Sequence, residues 1–148
     1  MPVTNIFIGS SAAAKSQAKA IVTKFQSNTV KFLPWWNAFT AGRTLLEDLD
    51  NIHDKIDAAV LLFSPEAESV VRGNKVQVPN LNVLFEFGYF YGVLGKQNVA
   101  MLKYGEFYLP SDLGGYIHIF GSKFFKRSAI VQVGKRTKDE FDRWVEQL

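Results

Sequence analysis

The chain contains no cysteine among its 148 residues, which excludes disulfides, a thiolate metal site and a cysteine nucleophile. The first 46 residues also lack acids: Lys15, Lys19, Lys24, Lys31 and Arg43 all precede Glu47, the first carboxylate. No run approaches the ~20 consecutive apolar residues that span a bilayer, so no membrane partner is expected. The start, MPVTNIFIGSS, has no basic segment leading into an apolar one, so no secretory signal is expected. Histidine is scarce, and His53 and His118 stand at no metal-ligand spacing, so both read as structural and no metal is expected. Gly9-Ser10-Ser11 is not a phosphate loop, and no G-x-G-x-x-G follows a strand. These absences leave a cytoplasmic globular protein as the expectation, a single domain over residues 1–148.

What is present supports a packed core, because 47% of the residues are hydrophobic and only 21% charged. The net charge of +3 is unevenly spread. Between Glu47 and Glu68 seven acids face Lys55 alone, and bases return after Phe120 at Lys123, Lys126, Arg127, Lys135, Arg136, Lys138 and Arg143. A basic surface attracts nucleic acid, yet there is no RNA-binding aromatic motif and no recognition-helix pattern, so no nucleic acid is expected. Solvated faces account for most such patterns, and opposed faces also favour head-to-tail self-association.

The order of elements predicts the fold class. Asn5 to Ile8 reads as a strand. Ala12 to Gln26 reads as an amphipathic helix with Ala18, Ile21, Val22 and Phe25 inward and Ser11 as its N-cap. Thr29 to Leu33 is a second strand stopped by Pro34. Thr44 to Ile52 is helical with Leu45, Leu46 and Leu49 inward, and Asp57 to Phe63 is a strand covered on both faces. Ser64 to Val78 reads as a long polar connection containing Arg72-Gly73-Asn74. A helix over Asn82 to Gly95 and strands over Asn98 to Leu102 and Tyr116 to Phe120 follow. Ser128 to Val133 adds an edge strand, and Lys138 to Leu148 a last helix. Alternating strands and helices imply a doubly wound α/β domain with a mainly parallel sheet.

One residue stands out against this background. The run NVLFEFGYFYGVLG, residues 82–95, is apolar almost all the way round and contains the single carboxylate of Glu86. Such a helix should be buried. An ionised carboxylate there costs several kcal/mol unless it faces a cleft or finds partners. An ion pair or hydrogen bonds at a helix start would account for Glu86 as well as function does. In open parallel sheets, however, ligands bind beyond the carboxyl ends of the strands. Gly9-Ser10-Ser11, Pro34 to Asn37, Ser64 to Glu66 and Lys103 to Asp112 converge there, together with the early turns of the Glu86 helix. With Asn80 or Asn82 as cap, the helix dipole favours an ionised Glu86, and Asn82, Tyr89 and Phe90 share its face. A carboxylate, an amide and aromatics suit a ribose and a flat heterocycle.

These residues resemble a known family. FIGSS at 7–11, W-x3-F at 35–39 followed by TLLEDL at 44–49, DAAVLLFSPE at 57–66, RG at 72–73, NVLFEFGYFYGVLG at 82–95 and LPSDLGG at 109–115 occur in family order. Together they resemble the bacterial TIR-like, nucleotide-binding TIR domain, of the kind fused to STING or other cyclic-nucleotide sensors in anti-phage defence. The resemblance covers residues 4–120. Many relatives carry an Arg-Asp pair where this chain has Asn80-Leu81. The resemblance implies a flavodoxin-like TIR fold with a five-stranded sheet. It also implies an NAD+ glycohydrolase in which Glu86 is catalytic, NAD+ is a substrate rather than a cofactor, and activity follows self-association into higher oligomers or filaments.

The residue types fit that chemistry. Nicotinamide leaves as a neutral molecule from a cationic ring and needs no general acid, so one carboxylate can stabilise the oxocarbenium-like ribosyl centre. Trp35, Trp36 or Phe39 are suited to stack on a heterocycle. Ser10, Ser11 and Ser64 are suited to ribose or phosphate, as is Asn82 to ribose, and Arg43 or Arg72 to the pyrophosphate. Asp112, in LPSDLGG, either contacts substrate or closes a turn. Two other readings stand beside this one: a nucleoside deoxyribosyltransferase-like enzyme with a nucleophilic glutamate, and a non-catalytic TIR adaptor or scaffold.

Overall fold

The computed structural model describes residues 2–110, 113, 115–121 and 133–148. Five strands form one sheet: β1 (Thr4–Gly9), β2 (Val30–Pro34), β3 (Ala58–Phe63), β6 (Val99–Lys103) and β7 (Ile117–Phe120). Their order is β2-β1-β3-β6-β7 and every pairing is parallel, which is the flavodoxin-like order 2-1-3-4-5. Pro34 ends β2 on the sheet's edge, where its missing N–H costs no ladder bond.

Alternation along the strands divides the core in two. Ile6, Ile8, Val60, Leu62, Ala100 and Leu102 pack under α1 (Lys15–Phe25) and α5 (Lys135–Glu146), against Ala18, Ile21, Phe25, Phe141 and Trp144. Phe7, Leu61, Phe63 and Met101 pack on the other face under α3 (Leu45–Ile52) and α4 (Leu81–Leu94). Buried on both faces, β3 carries no polar residue.

Four elements depart from the sequence expectation. Ser11 caps a 3-10 turn, Ala12–Ala14, and α1 begins only at Lys15. In α3, Thr44 and Glu47 form a reciprocal capping box, Leu49 is buried, and Leu46 turns outward at 49% exposure. The sheet face takes Asp48 in its place: buried, it accepts the Thr40 N–H at 3.2 Å and pins the preceding loop.

The polar connection is instead a β-hairpin of β4 (Ala67–Val71) and β5 (Asn74–Val78). Arg72 (φ 49°) and Gly73 (φ 79°) form its two-residue turn, both at positive φ, as the right-handed strand twist favours. In β5, Val76 and Val78 alternate with Lys75 and Gln77, a period-2 signal too short to stand out in exposed, charged surroundings. The last helix starts three residues before Lys138. The edge strand expected over 128–133 lies, except for Val133, outside the described residues. No described helix is long and apolar enough to cross a membrane.

Candidate active site

The chain order reverses between β1 and β3, so the topological switch point lies at their carboxyl ends. Helix α4 crosses this region because Asn80 starts it there: the Asn80 side chain accepts the Asn82 and Val83 N–H groups at 2.9 and 3.1 Å. Six residues on, Glu86 points inward and is 3% exposed. Its Oε2 lies 2.7 Å from where a Cβ would stand on Gly9, the last residue of β1. Leu61 and Phe7 crowd the same spot, at 2.4 and 3.0 Å. Position 9 therefore admits only glycine, because any Cβ would collide with Leu61 and with the Glu86 carboxyl. Sequence reading brings Gly9-Ser10-Ser11 to the crevice, but FIGSS carries no local sign of a direct contact 77 positions away.

No hydrogen-bond partner for Glu86 Oε2 is found among the described residues. Burial pushes its pKa from an ordinary 4.5 up to about 8, with no compensating cation. Two expectations change. Among the described residues no ion pair or helix-start hydrogen bond accounts for Glu86, and burial outweighs the helix dipole, whose field fades after the first turn.

The neighbouring residues sort by depth and by face. Ser10 is buried and fully engaged: its Oγ accepts the Trp35 indole N–H at 2.8 Å and donates to the Ser11 carbonyl at 2.9 Å. Ser11 Oγ accepts the Ala14 N–H at 3.2 Å. Ser64 is buried just past β3, and its Oγ has no partner among the described residues. Trp35 and Phe39 pack into the core on the Glu86 side of the sheet, Phe39 against Phe7 with ring centroids 6.0 Å apart. Trp36 packs on the opposite side, edge-on to Trp35. Lys15 Nζ stands 5.7 Å from the Trp35 ring and 5.4 Å from the Trp36 ring, a cation the sequence reading passed over.

Other expected residues lie apart. Asn82 is exposed and lines a separate groove with Glu66 and Glu68 at the hairpin base. The Tyr89 hydroxyl donates to Asp50 on α3, and Phe90 is core. Arg43 is exposed in a turn closed by its own N–H to Thr40, and Arg72 is at the hairpin tip. Asp112 lies outside the described residues.

Comparison with known proteins agrees with this architecture. The family described as "CAP12/Pycsar effector protein, TIR domain" matches residues 5–122. CD-NTase-associated protein 12 of Sphingobacterium faecium is 31% identical over 123 residues, covering 83% of this chain and 37% of that protein. The Pycsar effector protein PaPycTIR of Pseudomonas aeruginosa is 31% identical over 115 residues, 76% of this chain and 37% of its own length. Protein tirC of Dictyostelium discoideum is 32% identical over 90 residues, 53% of this chain and 45% of that protein. The chain thus spans between about a third and a half of the length of these relatives. A five-stranded parallel sheet in flavodoxin-like order, with a family match over most of its length, places this chain in the CAP12/Pycsar effector TIR-domain family.

Proposed function

We propose that this chain is an NAD+ glycohydrolase effector of bacterial anti-phage defence, active when copies assemble. The observation that carries the reading is the buried carboxyl of Glu86 at the switch point, whose Oε2 has no hydrogen-bond partner among the described residues and lies where a side chain on Gly9 would stand. A structural acid in that position would have found a cation or a donor. An acid held against a cationic substrate has its partner only when that substrate is bound.

The chemistry follows from this electrostatic arrangement. Burial keeps the proton on Glu86 to about pH 8. A nicotinamide–ribose cation bound beside it favours the carboxylate and releases that proton. As the C1′–N bond breaks, its electron pair neutralises the nicotinamide ring, and positive charge develops on the ribosyl centre. The Glu86 carboxylate, in a water-poor setting, stabilises that charge. Water adds to C1′ and loses a proton, giving ADP-ribose; attack by a group of the same molecule gives a cyclic product. Phe39 lies on the Glu86 side and suits the nicotinamide ring. The charge of Lys15 over Trp35 suits the pyrophosphate end of NAD+ rather than a second cation. Ser64, with its free hydroxyl, is suited to a ribose oxygen.

The effector role is supported by the relatives named as Pycsar effectors. A cyclic-nucleotide sensor, fused or separate, is the proposed trigger. Nicotinamide release from NAD+ by the purified chain at high concentration, with Glu86→Gln as control, tests the reading. Cleavage that vanishes in a folded variant is expected. Equal cleavage by both proteins, or none from demonstrated oligomers, would overturn it.

A further inference from the structure

The helix that carries Glu86 inward leaves an apolar stripe outward. Leu81 is 74% and Phe85 50% exposed, and Gly88 and Gly92 continue the same line. The 4-3-4 spacing of these four positions keeps them within one narrow stripe of the helix. Neither glycine has positive φ, and a Cβ on either would meet nothing within 4 Å. Each costs roughly 0.5–1 kcal/mol against alanine in a helix interior, so nothing in the chain's own packing requires them.

We propose that this stripe docks a second copy of the chain, with two α4 helices antiparallel across a two-fold axis between Phe85 and Gly88. The proposal rests on the self-assembly suggested above but not on its chemistry. A two-fold contact pairs the same patch with itself. About that axis Leu81 faces the second copy's Gly92, and Phe85 faces its Gly88, so each large side chain meets a gap. The order large, large, small, small is self-complementary only in the antiparallel sense.

Charge completes the match. Glu86 is the only charged residue between Val78 and Gly95, and it is buried, so like charges do not oppose the pairing. One turn beyond Gly92 is exposed Lys96. The corresponding place at the other end of α4 is the hairpin base, where Glu66 and Glu68 line the groove beside Leu81. Glu66 has no ion pair among the described residues, and Glu68 has only a loose one, 3.9 Å to Lys75. The two-fold axis brings the second copy's Lys96 to this acidic groove, twice per dimer.

Sedimentation analysis of the chain from low micromolar to near-millimolar concentration tests the contact. A contact confined to one helix face and the hairpin base is small by the standard of stable interfaces of roughly 800 Å² per partner, so a weak, reversible dimer is expected. Phe85→Lys should weaken it by about tenfold or more. Lys96→Glu and Glu66→Lys should each weaken it, and the two together should restore it. Thermal melts of each variant confirm folding. A chain that stays monomeric throughout, a dimer indifferent to Phe85→Lys, or no rescue in the charge-swapped double variant would each overturn the proposal. These outcomes are independent of whether the chain cleaves NAD+.

Discussion

At Glu86, burial of a single ionisable group ties stability to pH. Unfolded, it titrates near 4.5; folded, it keeps its proton to about pH 8. Between those values the folded chain binds more protons than the unfolded one, so stability falls as pH rises and is level outside the window. At about 1.4 kcal/mol per pH unit the loss is at most about 5 kcal/mol. Urea unfolding at pH 5 and pH 8.5 should show this decline in the wild type and a smaller one in Glu86→Gln, which has no proton to release. Equal slopes would mean that Glu86 is solvated. Gly9 is the complementary residue. Gly9→Ala sets a methyl 2.7 Å from Oε2 and 2.4 Å from the Leu61 side chain. An overpacking cost of about 1–3 kcal/mol is expected from denaturant curves, and displacement of Glu86 should lower NAD+ cleavage beyond what the lost stability explains.

At the scale of elements, α4 has two faces. Val83, Phe87 and Phe90 build the core beside the buried Glu86, while Leu81 and Phe85 stay in water. Its near-uniform apolarity pointed to complete burial, because hydropathy cannot tell a core face from an interface. The helix depends on Asn80, whose side chain satisfies two of its free N–H groups. Asn80→Ala should cost about 1 kcal/mol, read as a lower melting temperature, with a larger relative effect on turnover because the cap sets the register of Glu86. The hairpin between β3 and α4 shows the opposite case, a regular element with almost no burial. Its strands are short and mostly exposed, and Arg72 accepts positive φ in the turn. Its stability rests on the tight turn and ladder rather than on a core.

At the scale of the molecule, the flavodoxin-like strand order decides which loops meet. Because β1 and β3 are neighbours at the reversal, Gly9 and Leu61 come within reach of Glu86 on α4 although they lie far apart in the chain. Trp35 and Trp36, consecutive residues of the short helix that follows β2, pack on opposite sides of the sheet. Assembly belongs to this scale too. If copies pair through α4, the helix that positions Glu86 is the one clamped by the contact, so cleavage per molecule should rise with protein concentration and Phe85→Lys should flatten that rise.

The sequence by itself determined the order of the five sheet strands and of the main helices between them, the fully buried β3, the capped start of α4 and the isolation of Glu86. Each depends on local periodicity, turn chemistry or a residue type at odds with its neighbours. Motif order was enough for the TIR resemblance. Only the tertiary structure decided that Glu86 Oε2 has no partner among the described residues, that Gly9 makes room for it, and that Trp35 rather than Trp36 shares its side. It also showed Asn82, Arg43 and Arg72 to be exposed. Partnership, desolvation and exposure are properties of pairs and environments distant in sequence. A pKa near 8 is set by what surrounds a carboxylate, and that is settled only when the chain is folded.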